Sequence, residues 1–193
     1  RKRVEEDRLA NLRIMENLDK VNRAIQGTTD LEQMMRDVLE LMIPVFDCDR
    51  AWLFYPCDPD APTFRVPMEI TKPEFPGANV LNVDLPMPPD LAKDLREVLG
   101  SEAPLTYIAG TERYINKVTA ELFGVQSQIV VPIYPKIGKP WVFGMHQCSY
   151  PRVWTQEEMR LFKEIGRRLG DSLTSLLAYR ELQEIEEEHR IVF

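Results

Sequence analysis

The stretch MHQCSYPRVW, residues 145–154, carries the most information about the fold. The residues before it, 140–145, are mostly bulky and apolar, as expected of a buried strand. The residues after it, TQEE at 155–158, put acidic side chains into a first helical turn, where they interact favourably with the helix dipole. The stretch therefore predicts a junction between a closing strand and a long last helix.

A sheet is predicted in the middle of the chain, ahead of this junction. Its segments are rich in β-branched and aromatic side chains, and proline, glycine and aspartate mark the turns between them. The connection at residues 135–139 has hairpin length and contains a glycine. The predicted strands are residues 51–55, 64–70, 104–108, 128–134 and 141–148.

Helices are predicted at both ends, where apolar residues recur three and four positions apart. Residues 72–89, which are rich in proline, are interpreted as an ordered surface loop that covers part of the domain. Strands in the middle and helices at the ends indicate an α+β fold with a central antiparallel sheet. The predicted helices are residues 4–26, 31–43, 90–99, 111–123 and 154 to the end.

The pattern His-Gln-Cys-x-x-Pro-Arg-x-Trp at residues 146–154 resembles the last strand and last helix of GAF domains. It is most similar to the branch that contains the phytochrome and cyanobacteriochrome photoreceptors. The resemblance covers roughly residues 30–175 and implies the GAF fold and a sensory module. It divides the chain into an N-terminal linker and dimerisation helix (1–28), a GAF domain (29–176) and a C-terminal signalling helix (177–193).

The two ends also resemble parts of a signalling protein. RKRVEE at residues 1–6 resembles the exit of a PAS domain, and EHRIVF at 188–193 resembles the entry to another. The resemblance implies a piece of a longer bacterial two-component protein of the sensor histidine kinase type. In such a protein, a ligand or partner would act on the arrangement of the helices.

A candidate ligand pocket follows from the resemblance and from strand alternation. Alternation places Gly144, His146 and Cys148 on one face of the last strand, and residues 141, 143 and 145 on the other. Gly144 beside His146 leaves room for a ligand. In bilin-binding GAF domains the histidine that matches His146 contacts the chromophore. The alternatives are a core histidine with satisfied hydrogen bonds and an ordinary aromatic core. The candidate pocket lies between the predicted sheet and the loop at residues 72–89, and its residues are His146, Trp52, Phe54, Tyr107, Tyr114 and Cys148.

The same resemblance argues against a covalently attached bilin. The photoreceptors place a Cys-His pair before the strand that matches VVPI at residues 130–133, and this chain has Ile115 and Asn116 there. Neither Cys57, in an early turn, nor Cys148 replaces that cysteine. No cofactor is expected, and binding of an unidentified small ligand is left as an alternative. A bilin photoreceptor and a ligand-free dimerisation module are the alternative functions.

Composition excludes several other classes. The formal net charge of −7 does not suit binding to nucleic acid. No apolar run approaches the roughly 20 residues that span a bilayer, so a cytoplasmic fragment without membrane contact is expected. The sequence contains neither a phosphate-binding nor a nucleophile motif, which indicates a non-enzymatic fragment. Three cysteines and two histidines without ligand spacing predict no metal site, and Arg190 after His189 disfavours a phosphoacceptor.

The terminal helices predict a homodimer. About forty helical residues at the C-terminus would reach roughly 60 Å, so the end of this helix should project from the domain. A narrow apolar stripe on such a helix needs a partner helix. We therefore expect the N- and C-terminal helices of two copies to pack about a two-fold axis, with Leu173 and Leu176 in the C-terminal interface.

Overall fold

The computed structural model describes residues 1–78 and 83–192. Within them, helices and strands follow the order expected from the sequence, with two helices before the first strand and one long helix at the end. In chain order the elements are α1 (Lys2–Gln26), α2 (Leu31–Phe46), β1 (Arg50–Phe54), β2 (Thr63–Phe64), β3 (Met68–Thr71), β4 (Leu85–Pro86), α3 (Pro89–Leu99), β5 (Leu105–Ile108), α4 (Lys117–Phe123), β6 (Ser127–Ile133), β7 (Trp141–Gln147) and α5 (Gln156–Val192).

The central sheet of the described residues has the strand order β3-β1-β7-β6-β5, and each pair is antiparallel. Met145 of β7 lies opposite Ala51 on one side and Ile129 on the other. The hairpin predicted between β6 and β7 is confirmed, and Gly138 in its connection has a φ of 81°, which favours glycine. The predicted α+β fold is confirmed.

One face of the sheet carries the main core, beneath α1, α2 and α5. The side chains of Phe143 and Met145 point to this face, as the alternation of β7 predicts. The ring of Phe143 stacks on that of Phe162 of α5 at 4.5 Å between centroids. Helix α5 lies close to the sheet because Gly166 has no side chain, and a Cβ there would be 2.9 Å from Cγ1 of Val131.

The opposite face is covered by α3, α4 and the small sheet of β2 and β4. A second apolar cluster fills this layer. Residues 50, 52 and 54 of β1 face this side, whereas Ala51 and Leu53 belong to the main core. The cavity discussed below lies in this layer.

The carboxylate of Asp49 stabilises the junction between β7 and α5 through hydrogen bonds. Its Oδ2 accepts hydrogen bonds from the backbone N–H groups of Cys148 at 2.8 Å and Ser149 at 2.9 Å, and from the Ser149 hydroxyl at 2.9 Å. Lys72 pairs with the other carboxylate oxygen at 3.3 Å. The carboxylate is almost completely buried, so these bonds compensate the loss of its hydration.

Arg152 connects the same junction to α2. Its guanidinium donates to the carbonyl oxygens of Phe46 at 2.6 Å and Asp47 at 3.0 Å, which lie at the end of α2, and it pairs with Glu158. Helix carbonyls at a C-terminus lack intrahelical partners, so a cation is favourable there. Glu158 also forms a reciprocal capping box with Thr155 at the start of α5. The stretch 145–154 therefore joins α2, β7 and α5.

Three predicted elements differ in the structure. The helix predicted over residues 111–123 begins only at Lys117, because Oδ1 of Asn116 accepts from the N–H of Thr119 at 2.9 Å and caps the helix there. The strand predicted at 64–70 is divided into β2 and β3, with Pro67 between them, where it would remove a donor from a continuous strand. Of the predicted loop at 72–89, residues 85–86 instead form β4, which pairs with β2, and residues 79–82 lie outside the described residues.

Helices α1 and α5 run side by side in the same direction. Asn11 accepts from Nη2 of Arg160 at 3.2 Å near the start of α5, whereas residues 29–32 share a groove with residues 176–183 further along it. The first turns of α1 therefore extend past the beginning of α5, and the last turns of α5 extend past the end of α1. Residues 181–192 are exposed, as the predicted projection requires.

The prediction that Leu173 forms an interface is wrong. Leu173 is fully buried in the main core, and Leu176 packs against that core. Both residues belong to the stripe that faces the sheet rather than to the projecting part of the helix. In the described part of the chain, no helix has the length and apolar content needed to cross a membrane.

Candidate functional site

A cavity of about 60 Å³ lies between the sheet and the layer of α3 and α4. At roughly 10–15 Å³ for each water, this volume would hold a few water molecules. It is far smaller than the pockets of about 300–1,000 Å³ that enclose larger ligands. Its walls are mainly apolar, and the polar residues among them are Arg50, Glu69, Asp94, Thr119, Gln128 and His146.

Arg50 is a fully buried cation at the edge of this cavity. Its Nε and Nη2 donate to the carbonyl oxygen of Phe75 at 3.1 and 2.7 Å, and Nη2 also donates to that of Pro76 at 2.8 Å. A further bond of 3.2 Å reaches the carbonyl of Phe123, the last residue of α4. Arg50 thereby ties the segment after β3 and the end of α4 to the sheet.

The hydrogen bonds of His146 determine its protonation state. Nη1 of Arg50 lies 2.9 Å from Nδ1 of His146, and because a guanidinium only donates, Nδ1 is the acceptor. The ring proton is therefore on Nε2, which donates to Oε1 of Gln128 at 3.1 Å. Burial, followed by the charge of Arg50, holds the pKa of His146 well below its usual range. His146 is a neutral histidine fixed on both sides.

Trp52 and Phe54 complete the sheet side of the cavity. The Trp52 ring lies 5.2 Å from the His146 ring, between centroids, and covers Gly144. Its Nε1 is buried and has no hydrogen-bond partner among residues 1–78 and 83–192. Phe54 stacks on Phe64 at 5.8 Å. The structure thus brings together three of the six predicted pocket residues, but Trp52 fills the space that Gly144 was expected to leave open.

The other three predicted pocket residues lie elsewhere. Tyr107 and Tyr114 line a separate pocket beyond α3, and Tyr114 is 66% exposed because residues 111–116 are not helical. Cys148 is buried, and its Sγ lies 3.9 Å from the carbonyl oxygen of Phe123. The prediction that these residues share one pocket with His146 is therefore corrected.

Arg50 and Gln128, which hold His146 in place, are not among the predicted pocket residues. The signal for Arg50 was available, because residues 50, 52 and 54 alternate onto one face of β1 and a charged residue there must be buried. Such a buried cation requires several acceptors. The carbonyls that supply them come from loops and a helix end, whose positions no local pattern predicts.

The positions that match the bilin-attachment pair have structural contacts. Ile115 is buried in the second apolar cluster, and Nδ2 of Asn116 donates to Oδ2 of Asp94 at 3.1 Å. The three cysteines are free and buried, and burial raises the pKa of Cys48 and of Cys57 to about 12. Within the described ranges, no group of three or more histidine, cysteine or acidic side chains could hold a metal ion.

Comparisons with known proteins identify the family and the fold. The family model described as GAF domain matches residues 30–173, whereas a search of curated proteins found no significant match.

The far-red-absorbing dark state of a protein with bound biliverdin is 16% identical to this chain. The match covers 83% of this chain and 98% of that protein's chain, with a TM-score of 0.67. The phycocyanobilin-bound GAF domain from a cyanobacterial phytochrome is also 16% identical, with 84% and 94% covered and a TM-score of 0.66. The GAF domain of a phosphoenolpyruvate-protein phosphotransferase from Coxiella burnetii is 13% identical, with 88% and 98% covered and a TM-score of 0.64. At these identities, the likeness shows the fold alone.

Proposed function

We propose that this chain, which belongs to the GAF domain family, is a non-catalytic sensory or regulatory domain. It relays a signal through dimeric helices. The observation that carries this proposal is the parallel arrangement of α1 and α5, which extend from opposite ends of the domain. A signal received at one end can therefore pass along continuous helices to the other.

The exposed faces of these helices support a homodimer. Leu173 is buried, whereas Leu182, nine residues later, is 61% exposed. At about 100° per residue, nine residues turn the helix by about 180° beyond two full turns, so the two side chains lie on opposite faces. In α1 the same spacing separates exposed Leu9 and Leu12 from buried Leu18 and Val21.

Both helices thus carry apolar side chains on the face that points away from the core. On α5, the exposed residues Leu182, Ile185 and Val192 are spaced by three and seven, as in a coiled-coil seam, and the polar His189 occupies the position between the last two. A second copy of the chain supplies matching faces for α1 and α5 together about one two-fold axis. We therefore propose a four-helix bundle in the dimer.

The fixed contacts around the cavity suggest how a signal could reach the helices. Arg50 joins the segment after β3 and α4 to β1, and β1 packs directly beneath α2. A ligand or a neighbouring domain that favours a different arrangement of these contacts would shift the population of helix positions. The proposed setting is a bacterial sensor histidine kinase with flanking PAS domains, in which the output lies outside this chain.

A bilin photoreceptor is the second candidate, favoured by the likeness to domains with bound biliverdin and phycocyanobilin. Against it stand the small cavity and the absence of a cysteine at residues 115 and 116. Incubation of the purified chain with biliverdin, followed by denaturing mass spectrometry, separates the two candidates. We expect no covalent adduct, and an adduct on any cysteine would favour the photoreceptor.

Sedimentation velocity of the wild type and of a Leu182→Glu/Ile185→Glu variant tests the dimer. We expect a dimeric wild type and a monomeric variant with an unchanged far-UV circular dichroism spectrum, because both residues lie outside the core. A Leu122→Glu variant, at an exposed apolar position on α4, is the matched control and should stay dimeric. A monomeric wild type, or a variant that remains dimeric, contradicts the proposed interface.

Native mass spectrometry of the same sample tests the sensory part. A dimer that retains additional mass identifies a bound small molecule, which can then be released and analysed. A bare dimer favours relay of a signal from a neighbouring domain.

A further inference from the structure

A continuous line of polar contacts connects the segment beside the cavity to the start of α5. Its members in order are Lys72, Asp49, Gln147, Arg152 and Glu158, and we call it the Lys72–Glu158 network. The first three contacts measure 3.3, 3.1 and 2.9 Å, and the last is the ion pair between Arg152 and Glu158. The network therefore joins three parts of the chain that are far apart in sequence.

The first end of the network lies in the segment after β3, residues 72–76. Arg50, at the edge of the cavity, donates to the carbonyl oxygen of Phe75 at 3.1 and 2.7 Å. The N–H of Phe75 donates to the carbonyl oxygen of Lys72 at 3.0 Å, and the N–H of Lys72 donates to that of Asp49 at 2.9 Å. A displacement of this segment therefore acts directly on Lys72.

Gln147 is the middle of the network, and its amide has a fixed orientation. A guanidinium only donates, so Oε1 of Gln147 accepts from Nη1 of Arg152. Its Nε2 is therefore the atom that faces Asp49, and it donates to Oδ2 of that carboxylate. Both Gln147 and Asp49 are buried, where water competes little with such charge-assisted bonds. Because an amide donates to the anion and accepts from the cation, Gln147 connects the two charges.

The other end of the network controls two helices. Arg152 donates to the last carbonyl oxygens of α2 and lies over the Trp154 ring at 4.3 Å. Its partner Glu158 accepts from the N–H of Thr155 at 3.1 Å in the capping box of α5. A shift of Arg152 would therefore act on the end of α2 and on the first turn of α5 together.

We propose that the Lys72–Glu158 network couples the position of residues 72–76 to the first turn of α5, with Gln147 as the residue that transmits the change. This proposal rests on the proposed relay function, because it supplies a path from the cavity side of the domain to the helix that leaves it. A ligand or neighbouring domain that displaces residues 72–76 shifts the population of the α5 capping box. The coupling lies within one chain and does not require the dimer.

Amide hydrogen exchange of the isotopically labelled full chain, followed by NMR, tests the coupling between the two ends. Lys72→Met removes the ammonium group at a position where the side chain is 35% exposed, so the variant is expected to fold. The reporters are the N–H groups of Glu158 and Met159, which donate to Oγ1 and to the carbonyl oxygen of Thr155. Their exchange should rise about 2–5-fold relative to amides of the β6–β7 hairpin, as expected for loss of a partly exposed ion pair. An effect confined to residues near Asp49 overturns the proposal.

The Gln147→Met background tests the route. Methionine has a similar length but does not bridge the two charges, while Asp49 keeps its backbone bonds and Arg152 keeps its bonds to α2 and α5. In this background, Lys72→Met should cause no further change in the exchange of the α5 reporters. A change as large as in the wild type overturns the role of Gln147.

Asp47→Asn is the matched control. Asp47 is the other carboxylate that pairs with Lys72, at 3.6 Å, but its side chain is 94% exposed and lies outside the network. Asparagine also tolerates the left-handed φ of 50° at this position. The variant should leave the α5 reporters unchanged, and an effect equal to that of Lys72→Met overturns the assignment to the buried bond with Asp49. A monomeric wild type in sedimentation would contradict the proposed dimer without altering these exchange results, so the two proposals fail separately.

Discussion

The indole ring of Trp52 lies against Gly144 on the neighbouring strand, where a Cβ would be 2.5 Å from Cε2 of Trp52 and closer still to Cζ2. The two residues are directly paired across β1 and β7. The space left by the missing side chain of Gly144 is therefore filled by the Trp52 ring and is not free for a ligand beside His146. The same contact holds Trp52 against the His146 ring and keeps the cavity small.

Replacing Gly144 with alanine should destabilise the domain by about 1–3 kcal/mol, because a methyl group in this buried contact forces Trp52 or the strand to move. Chemical denaturation followed by circular dichroism measures the change. Gly100→Ala is the matched control, since a Cβ there would have ordinary contacts at 3.5 Å and a normal φ of −86°. A loss in Gly144→Ala no larger than in the control would show that the Trp52 contact is not restrictive.

His146 predicts a dependence of stability on pH. Its folded-state pKa lies well below the usual value of 6.5, because of burial and then Arg50, so the unfolded chain binds the extra proton first as the pH falls. The contribution of His146 to the free energy of unfolding is fully present above about pH 6.5. Below that pH it declines by up to about 1.4 kcal/mol per pH unit, until the pKa of the folded state is reached. Denaturation curves from pH 7.5 downwards measure the slope.

His146→Gln should remove most of this slope between pH 6.5 and 5, because glutamine does not titrate. His189→Gln, at an exposed position on α5, is the matched control and should keep this slope. An unchanged slope in His146→Gln would assign the pH dependence to other groups.

Asp49→Asn should cost about 2–3 kcal/mol, because a buried carboxylate that accepts several bonds at the β7–α5 junction loses its charge. Although burial alone would raise the pKa of Asp49, the bonds from Cys148, Ser149 and Lys72 bring it below its usual value. Its contribution is therefore present above about pH 4 and is lost as the pH falls through the folded pKa.

Thermal unfolding at pH 7 and at pH 3 measures the difference in stability between the wild type and Asp49→Asn. This difference should be smaller at pH 3. Asp60→Asn, which breaks an exposed ion pair with Arg96, should change stability by less than about 1 kcal/mol. Equal losses in the two variants would mean that the buried bonds of Asp49 contribute little.

Much of the fold could be predicted from the sequence because its signals are local. The β6–β7 hairpin, α3 and the junction at residues 145–154 all follow from periodicity, turn residues and helix-start chemistry. The predicted end of α4 is also confirmed, because Gly124 adopts a left-handed φ of 62° there. The predicted start of α4 at Thr111 is wrong, because the helix is capped by Asn116, which a helical pattern from Thr111 onward conceals.

The candidate site was harder to predict because its contacts are long-range. His146 follows from the resemblance and from strand alternation, but Arg50 binds carbonyls 25, 26 and 73 residues away, which no sequence pattern records. Tyr107 lies on β5 and Tyr114 lies in the exposed segment before α4, and both line the pocket beyond α3 instead of the cavity. The sequence supplied the residue types, and the loops determined which of them meet.

The two faces of α5 predict opposite effects for two leucine substitutions. Leu173→Ala removes side-chain volume from the fully buried core and should destabilise the fold by about 2–5 kcal/mol at any protein concentration. Leu182→Ala, on the exposed face, should leave the fold of a single chain unchanged and weaken association instead. Its effect on the unfolding midpoint should therefore grow with protein concentration, since binding of a second copy stabilises the folded chain by mass action. Unfolding curves of both variants at several concentrations measure the two effects, and a concentration-independent loss in Leu182→Ala would place this residue in the core of its own chain rather than at an interface.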